Sequence, residues 1–125
     1  MTTSLITLGS YNLEAADPLR LADFWAGLTG GVAEKTAATA YIPPVGEGGF
    51  GVFLQPAEEP RAERQMGHLD LTVPWGHREA EVARAVGLGA EVRWHVLDEH
   101  PHVRWTTLAD PEGNLFCIAE HPPQE

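Results

Sequence analysis

Hydrophobic and polar positions follow two periods along this chain, and the switch between them occurs twice in the same order. Residues 5–14 carry Leu, Ile, Thr and Tyr in a strand-like run. Asp17-Pro18 then signals a helix start: the Asp17 carboxylate can cap free backbone N–H groups, and proline at the first helical position forfeits no hydrogen bond. Leu21, Phe24, Trp25 and Leu28 recur at helical spacing as one apolar stripe, which Gly30-Gly31 ends. Short strands are expected over 32–35, 39–42 and 49–55, separated by Pro43-Pro44 and the glycines between 46 and 49. Residues 56–65 are polar and proline-containing, and are expected to form a linker.

The order then begins again. Residues 66–73 have strand character, 76–88 a helical pattern with Val82, Ala85 and Val86 on one face, and Gly89 a stop. Three more strands are expected over 90–96, 102–108 and 114–120, with Asp110-Pro-Glu-Gly113 turning the chain between the last two. Each half thus has one helix and four strands. The interval from Ser10 to Gly30 matches that from His68 to Gly89 within one residue, the mark of an internal duplication. The fold class expected is α+β, with helices packed on sheets.

Composition narrows the functions open to such a chain. At 125 residues, 43% of them hydrophobic, it can bury a core without disulfides or a structural metal. Eighteen acidic side chains against eight basic ones give a formal charge of -10, which repels phosphate backbones and anionic lipid surfaces. Neither nucleic acid nor a membrane is an expected partner. Cys117 is the only cysteine, so no intrachain disulfide forms, which fits a reducing compartment. The first residues lack a basic region followed by an apolar stretch, and no run approaches the roughly 18 apolar residues of a membrane span. A cytoplasmic location is the expectation.

Period-two alternation puts His68, Asp70 and Thr72 on one face of their strand and Leu69, Leu71 and Val73 on the other. The apolar face must meet the helix, so the polar triplet faces away from it, and this singles out His68 among the six histidines. Asp70 is placed to orient the imidazole or act as a general base, and equally to bond backbone groups. Cys117 shares a face with Leu115 and Ala119; it needs a nearby base to become a nucleophile, and otherwise serves as a small buried apolar residue. Trp75, Trp94 and Trp105 are candidates for framing an aromatic ligand, or for packing at a rim. His100-Pro-His102 has no recognisable third ligand and is best explained as a solvated loop. The glycine-rich 45–50 segment lacks the lysine and following helix of a phosphate-binding loop.

The ordered landmarks Asp17-Pro18, Ala22-Asp-Phe-Trp25, Leu28-Thr-Gly30, His68-Leu-Asp-Leu71, Leu88-Gly-Ala90 and Asp110-Pro-Glu-Gly-Asn114-Leu-Phe-Cys117 span nearly the whole chain. Together they resemble the glyoxalase-like branch of the vicinal oxygen chelate superfamily, which includes glyoxalases, bleomycin resistance proteins and dioxygenases. The resemblance implies one domain over 1–125, built from tandem βαβββ modules at about 4–57 and 65–121. Their mixed sheets are expected to curve into a cup with helices outside.

Metal-dependent members hold their ion on the first and last strands of each module. Those positions fall near Ser10, at or near Gln55, at His68 and at Cys117. Only His68 is a usual ligand type there. The cofactor expected is therefore none or one divalent metal ion, held in part by His68. His68 and Asp70 are the candidate catalytic residues, and Ser10, Gln55, His68, Trp105 and Cys117 the candidate ligand-binding residues.

Two functions follow from the resemblance. One is a small-molecule binding or sequestering protein of the bleomycin resistance type, and the other a lyase, isomerase or related enzyme acting on a small oxygenated metabolite. Homodimerisation is expected, because cups and sheet edges in this superfamily often pack in pairs.

Overall fold

A computed structural model of the chain describes residues 4–123. Its contacts divide it into two compact units, residues 1–59 and 60–125. Each contains one helix and one open four-stranded mixed sheet, so the fold is α+β with two tandem modules.

The first unit runs β1 (Ser10–Ala15), α1 (Pro18–Thr29), β2 (Glu34–Lys35), β3 (Ala40–Ile42) and β4 (Gly51–Pro56). Its sheet order is β1-β4-β3-β2, with β1 and β4 parallel and the other pairs antiparallel. β1 begins only at Ser10, and the apolar side chains of Leu5, Ile6 and Leu8 before it are exposed. The helix starts where expected, for the expected reason: the Asp17 carboxylate accepts from Arg20 N at 3.2 Å, and Pro18 opens the helix. It ends at Gly30, whose φ of 81° is open to glycine at little cost and lets its N–H reach Ala26 O at 2.9 Å. Leu21, Phe24, Trp25 and Leu28 are buried, as are Leu13, Ile42, Val52 and Leu54 on the strands. Trp25 lies edge-on to Phe24 and Tyr11, an arrangement that suits the ring quadrupoles. Ser10, Asn12, Phe53 and Gln55 take the alternate positions, on the sheet face turned away from α1.

The second unit repeats the plan: β5 (Leu69–Pro74), α2 (Arg78–Leu88), β6 (Glu91–Val96), β7 (Arg104–Ala109) and β8 (Leu115–His121), in the order β5-β8-β7-β6. Here the helix meets its sheet differently. Only Val82 and Ala85 of α2 are buried, whereas Val86, grouped with them by periodicity, is 46% exposed. At its N-terminal end the helix meets polar rather than apolar side chains of the sheet. Glu120 and Thr106 are buried on the helix side of the sheet, and the first residue of α2 reaches both. Arg78 Nε donates to Glu120 Oε2 at 2.8 Å, and its Nη1 to Thr106 Oγ1 at 2.7 Å. Glu120 Oε1 also accepts from Gly76 N at 3.0 Å, and Thr106 Oγ1 lies 2.9 Å from His95 Nδ1. A buried ion pair, hydrogen-bonded also to Gly76 and Thr106, thus lies beside the start of α2, where the first unit has aromatic side chains in its helix.

The segment expected to be a plain linker is bonded into the second unit. Arg61 donates to Asn114 Oδ1 and Gly113 O, each at 2.6 Å. The Gln65 amide accepts from Leu115 N at 2.8 Å and donates to Leu115 O at 2.9 Å, as a neighbouring strand would. It thereby satisfies the backbone at the start of β8.

Candidate functional site

The sheet face of the second unit turned away from α2 carries a hollow of about 490 Å³. Register explains its lining. In the parallel β5–β8 pair Asp70 stands beside Cys117 and Thr72 beside Ala119; in the antiparallel β7–β8 pair Thr107 stands beside Cys117 and Trp105 beside Ala119. His68 lies two residues before Asp70 and shares its face. His68 Nε2 is 3.0 Å from Asp70 Oδ1, and both side chains are substantially exposed.

Trp94 reaches this face through an irregularity. Pairing between β6 and β7 slips after Val92: Val92 stands opposite Leu108, yet Trp94 stands opposite Thr107. Arg93 is the extra residue of a β-bulge, and it turns Trp94 from the helix side to the hollow. Strict alternation would have left Trp94 on the face of Val92. Trp105 is flanked by His100, whose ring stacks on the indole at 5.4 Å with an interplanar angle of 18°. The histidine of the 100–102 loop thus braces a wall of the hollow. Trp75 does not join that wall; its ring lies under the Arg104 guanidinium, 4.6 Å away.

Cys117 is 4% exposed, its Sγ 3.2 Å from Thr107 Oγ1. Burial pushes its thiol above the usual range; the hydroxyl of Thr107 opposes this by stabilising the thiolate, and the charge and hydrogen bonding of Asp70 add to the rise. At neutral pH the residue is a thiol, not a ready nucleophile. Among the described residues, His68, Asp70 and Cys117 form a group whose ligand atoms all lie within 4.8 Å of one another, close enough to hold a metal ion.

The structure therefore brings together His68, Asp70, Trp105 and Cys117, joins to them Trp94, one of the three tryptophans singled out for framing a ligand, and adds Thr107, which sequence reasoning had not placed in the site. Ser10 and Gln55 belong to the first unit and are not neighbours within it. Ser10 pairs with Gly51 and Gln55 with Glu14, so four register steps, about 13 Å of strand, separate them. The Ser10 hydroxyl is instead spent on Asn12 Oδ1, at 2.9 Å.

A family model described as a glyoxalase-like domain matches residues 10–119. No curated protein matches the chain. Several solved structures share its fold. A glyoxalase/bleomycin resistance protein/dioxygenase family enzyme from Burkholderia phytofirmans PsJN is 16% identical, covering 93% of this chain and 99% of its own, with a TM-score of 0.76. The fosfomycin resistance protein FosX from Mesorhizobium loti is 17% identical over 96% of this chain and 93% of its own, with a TM-score of 0.67. A point mutant of FosX from Listeria monocytogenes, complexed with Mn(II) and 1S,2S-dihydroxypropylphosphonic acid, is 13% identical over 99% of this chain and 95% of its own, also at 0.67. At such identities the likeness is one of fold.

Proposed function

This chain belongs to the glyoxalase-like domain family, and from that premise we propose that it is a small-molecule binding or sequestering protein acting as one domain and as a homodimer. The observation that carries this reading is the composition of the hollow. Trp94, Trp105, Val103 and Leu115 supply flat and apolar surface, while His68 and Asp70 supply polar atoms at its β5 edge. Apolar walls with a few convergent polar groups are the general make-up of small-molecule sites. The ligand that fits is a planar ring system with a hydrogen-bonding group at one end. The indoles offer it stacking area, and His68 and Asp70 fix its direction.

A phosphonate such as the ligand of the FosX complex is a poorer match. The side chains lining the hollow include an aspartate and neither lysine nor arginine, so none of them supplies the fixed positive charge that best recognises such an anion.

A second reading, a lyase or isomerase acting on a small oxygenated metabolite, is favoured by the His68–Asp70 contact at 3.0 Å. A carboxylate on Nε2 holds the imidazole with Nδ1 available as a base. One experiment addresses both readings. Acridine and quinoline probes, with fosfomycin alongside, are titrated against tryptophan fluorescence, and each compound is recovered and analysed afterwards. The binding reading expects saturable quenching by the planar probes, weakened about 3- to 10-fold by Trp105→Ala, with probes recovered intact. Conversion of a compound, lost in Asp70→Asn, would move the assignment to the enzyme. Absence of saturable binding, or an unchanged Trp105→Ala variant, overturns the site. Light scattering on the same samples reads the dimer, which a monomer mass at micromolar concentration refutes.

A further inference from the structure

Register lines up a row of side chains across the second sheet, one from each strand. Asp70 on β5 stands beside Cys117 on β8, Cys117 beside Thr107 on β7, and Thr107 beside Trp94 on β6. The two middle members are small and buried and make a floor; the outer two flank it as a carboxylate and an indole. Trp105, two residues before Thr107 on the same face, is the diagonal neighbour of Trp94, so the far end of the row carries two indoles. Three strand spacings put the backbones of β5 and β6 about 14 Å apart, which leaves room for about two fused rings between the flanking side chains. A volume of about 490 Å³ sets a similar limit, in the lower half of the range of small-molecule sites.

The electrostatics of this row are one-sided. Among the described residues lining the hollow, Asp70 is the one carboxylate, and no lysine or arginine accompanies it; the others that titrate are imidazoles and the buried Cys117 thiol. A neutral His68 donates its Nε2–H to Asp70 Oδ1 at 3.0 Å, which holds the carboxylate without cancelling its charge. An indole attracts cations through its ring quadrupole and offers nothing comparable to an anion. The formal charge of -10 on the whole chain favours the approach of cations as well. A neutral ring system uses the apolar area of the hollow and leaves the carboxylate without a counterpart.

We propose that the hollow selects flat organic cations, ring systems of about two fused rings with the positive charge in or next to the aromatic system, and that Asp70 is the residue that sets this charge preference. The proposal rests on the small-molecule reading above and narrows it to one chemical class. Each indole contributes a few-fold in affinity for a cation at a solvated site, and an exposed carboxylate a similar factor, so the three together favour a cation over its neutral counterpart by about 10-fold.

The test is equilibrium dialysis of three probes on one skeleton: 1-methylquinolinium, 4-methylquinoline and quinoline-4-carboxylate. It is run at about pH 8.5, to keep imidazoles neutral, and in about 0.3 M salt, to screen the field of the whole chain. The cation is expected to bind about 10-fold more tightly than the neutral probe, and the anion more weakly than either. Asp70→Asn lowers the cation-to-neutral ratio to about 3-fold or less, and Trp94→Leu, which keeps apolar bulk without the indole, lowers it by about 2- to 5-fold. Glu47→Gln, at an exposed position of the first unit, changes the net charge as Asp70→Asn does and leaves the ratio as it was. Equal binding of cation and neutral probe, an anion bound as tightly as the cation, an unchanged ratio in either hollow variant, or a ratio that falls as far in Glu47→Gln overturns the proposal and leaves the small-molecule reading standing. Binding of none of the three probes overturns both.

Discussion

The Arg78–Glu120 pair offers the sharpest test of how the second module is held together. Arg78→Met removes the cation while keeping much of the apolar stem. Glu120, whose side chain is 5% exposed, would keep only the Gly76 N–H, and Thr106 Oγ1 would lose its Arg78 donor. Leaving one member of a buried pair uncompensated costs about 3–5 kcal/mol, whereas replacing both members by apolar residues of similar volume is often neutral or stabilising. Arg78→Met alone should therefore lower stability by about 3–5 kcal/mol, and Arg78→Met with Glu120→Leu should recover most of that loss. With a urea slope of about 2 kcal/mol per molar, the single variant's midpoint moves by about 1.5–2.5 M. Tryptophan fluorescence reads the transition, and an unchanged slope shows that the same surface is being exposed. A single-variant loss below about 1 kcal/mol, or a double variant worse than the single, would refute the view that the carboxylate depends on Arg78 for its burial.

Two further outcomes follow from the site and its support. Because burial and Asp70 hold the Cys117 thiol up, the thiolate fraction at pH 8 is smaller than in a free thiol, so iodoacetamide labelling of the folded, metal-free protein should rise with pH through an inflection above that of the urea-unfolded chain; an inflection at or below the unfolded value would contradict the assigned environment. Gln65→Leu removes the amide that bonds both backbone groups of Leu115, and should cost about 1–3 kcal/mol by leaving them unsatisfied, read again by urea midpoint; a loss below about 0.5 kcal/mol would mean that water replaces the amide at no cost.

Much of the fold was legible in the chain because its signals are local. Asp17, Pro18 and Gly30 act on backbone groups within a few residues of themselves, so the bounds of α1 could be placed by inspection. Alternation in 68–73 likewise told which face would be polar, since side-chain direction in a regular strand is set by the backbone. The order of elements and the repeat survived translation into structure for the same reason. Val86 did not: apolar character puts it on one helix face with Val82 and Ala85 and does not say how much of that face the sheet covers, nor does it announce the Arg78–Glu120 pair, which forms between residues 42 positions apart.

What sequence alone determined is thus the pair of βαβββ modules, their helix ends, and the candidacy of His68, Asp70, Trp105 and Cys117. Tertiary structure decided which of these meet. Strand register made Asp70 and Cys117 neighbours, a bulge at Arg93 carried Trp94 across to the hollow, and a residue from a nominal linker completed the backbone bonding of β8. Periodicity reports which way a side chain points along its own strand; it holds no information on the alignment of that strand with the next. That alignment is a long-range balance of packing and hydrogen bonding.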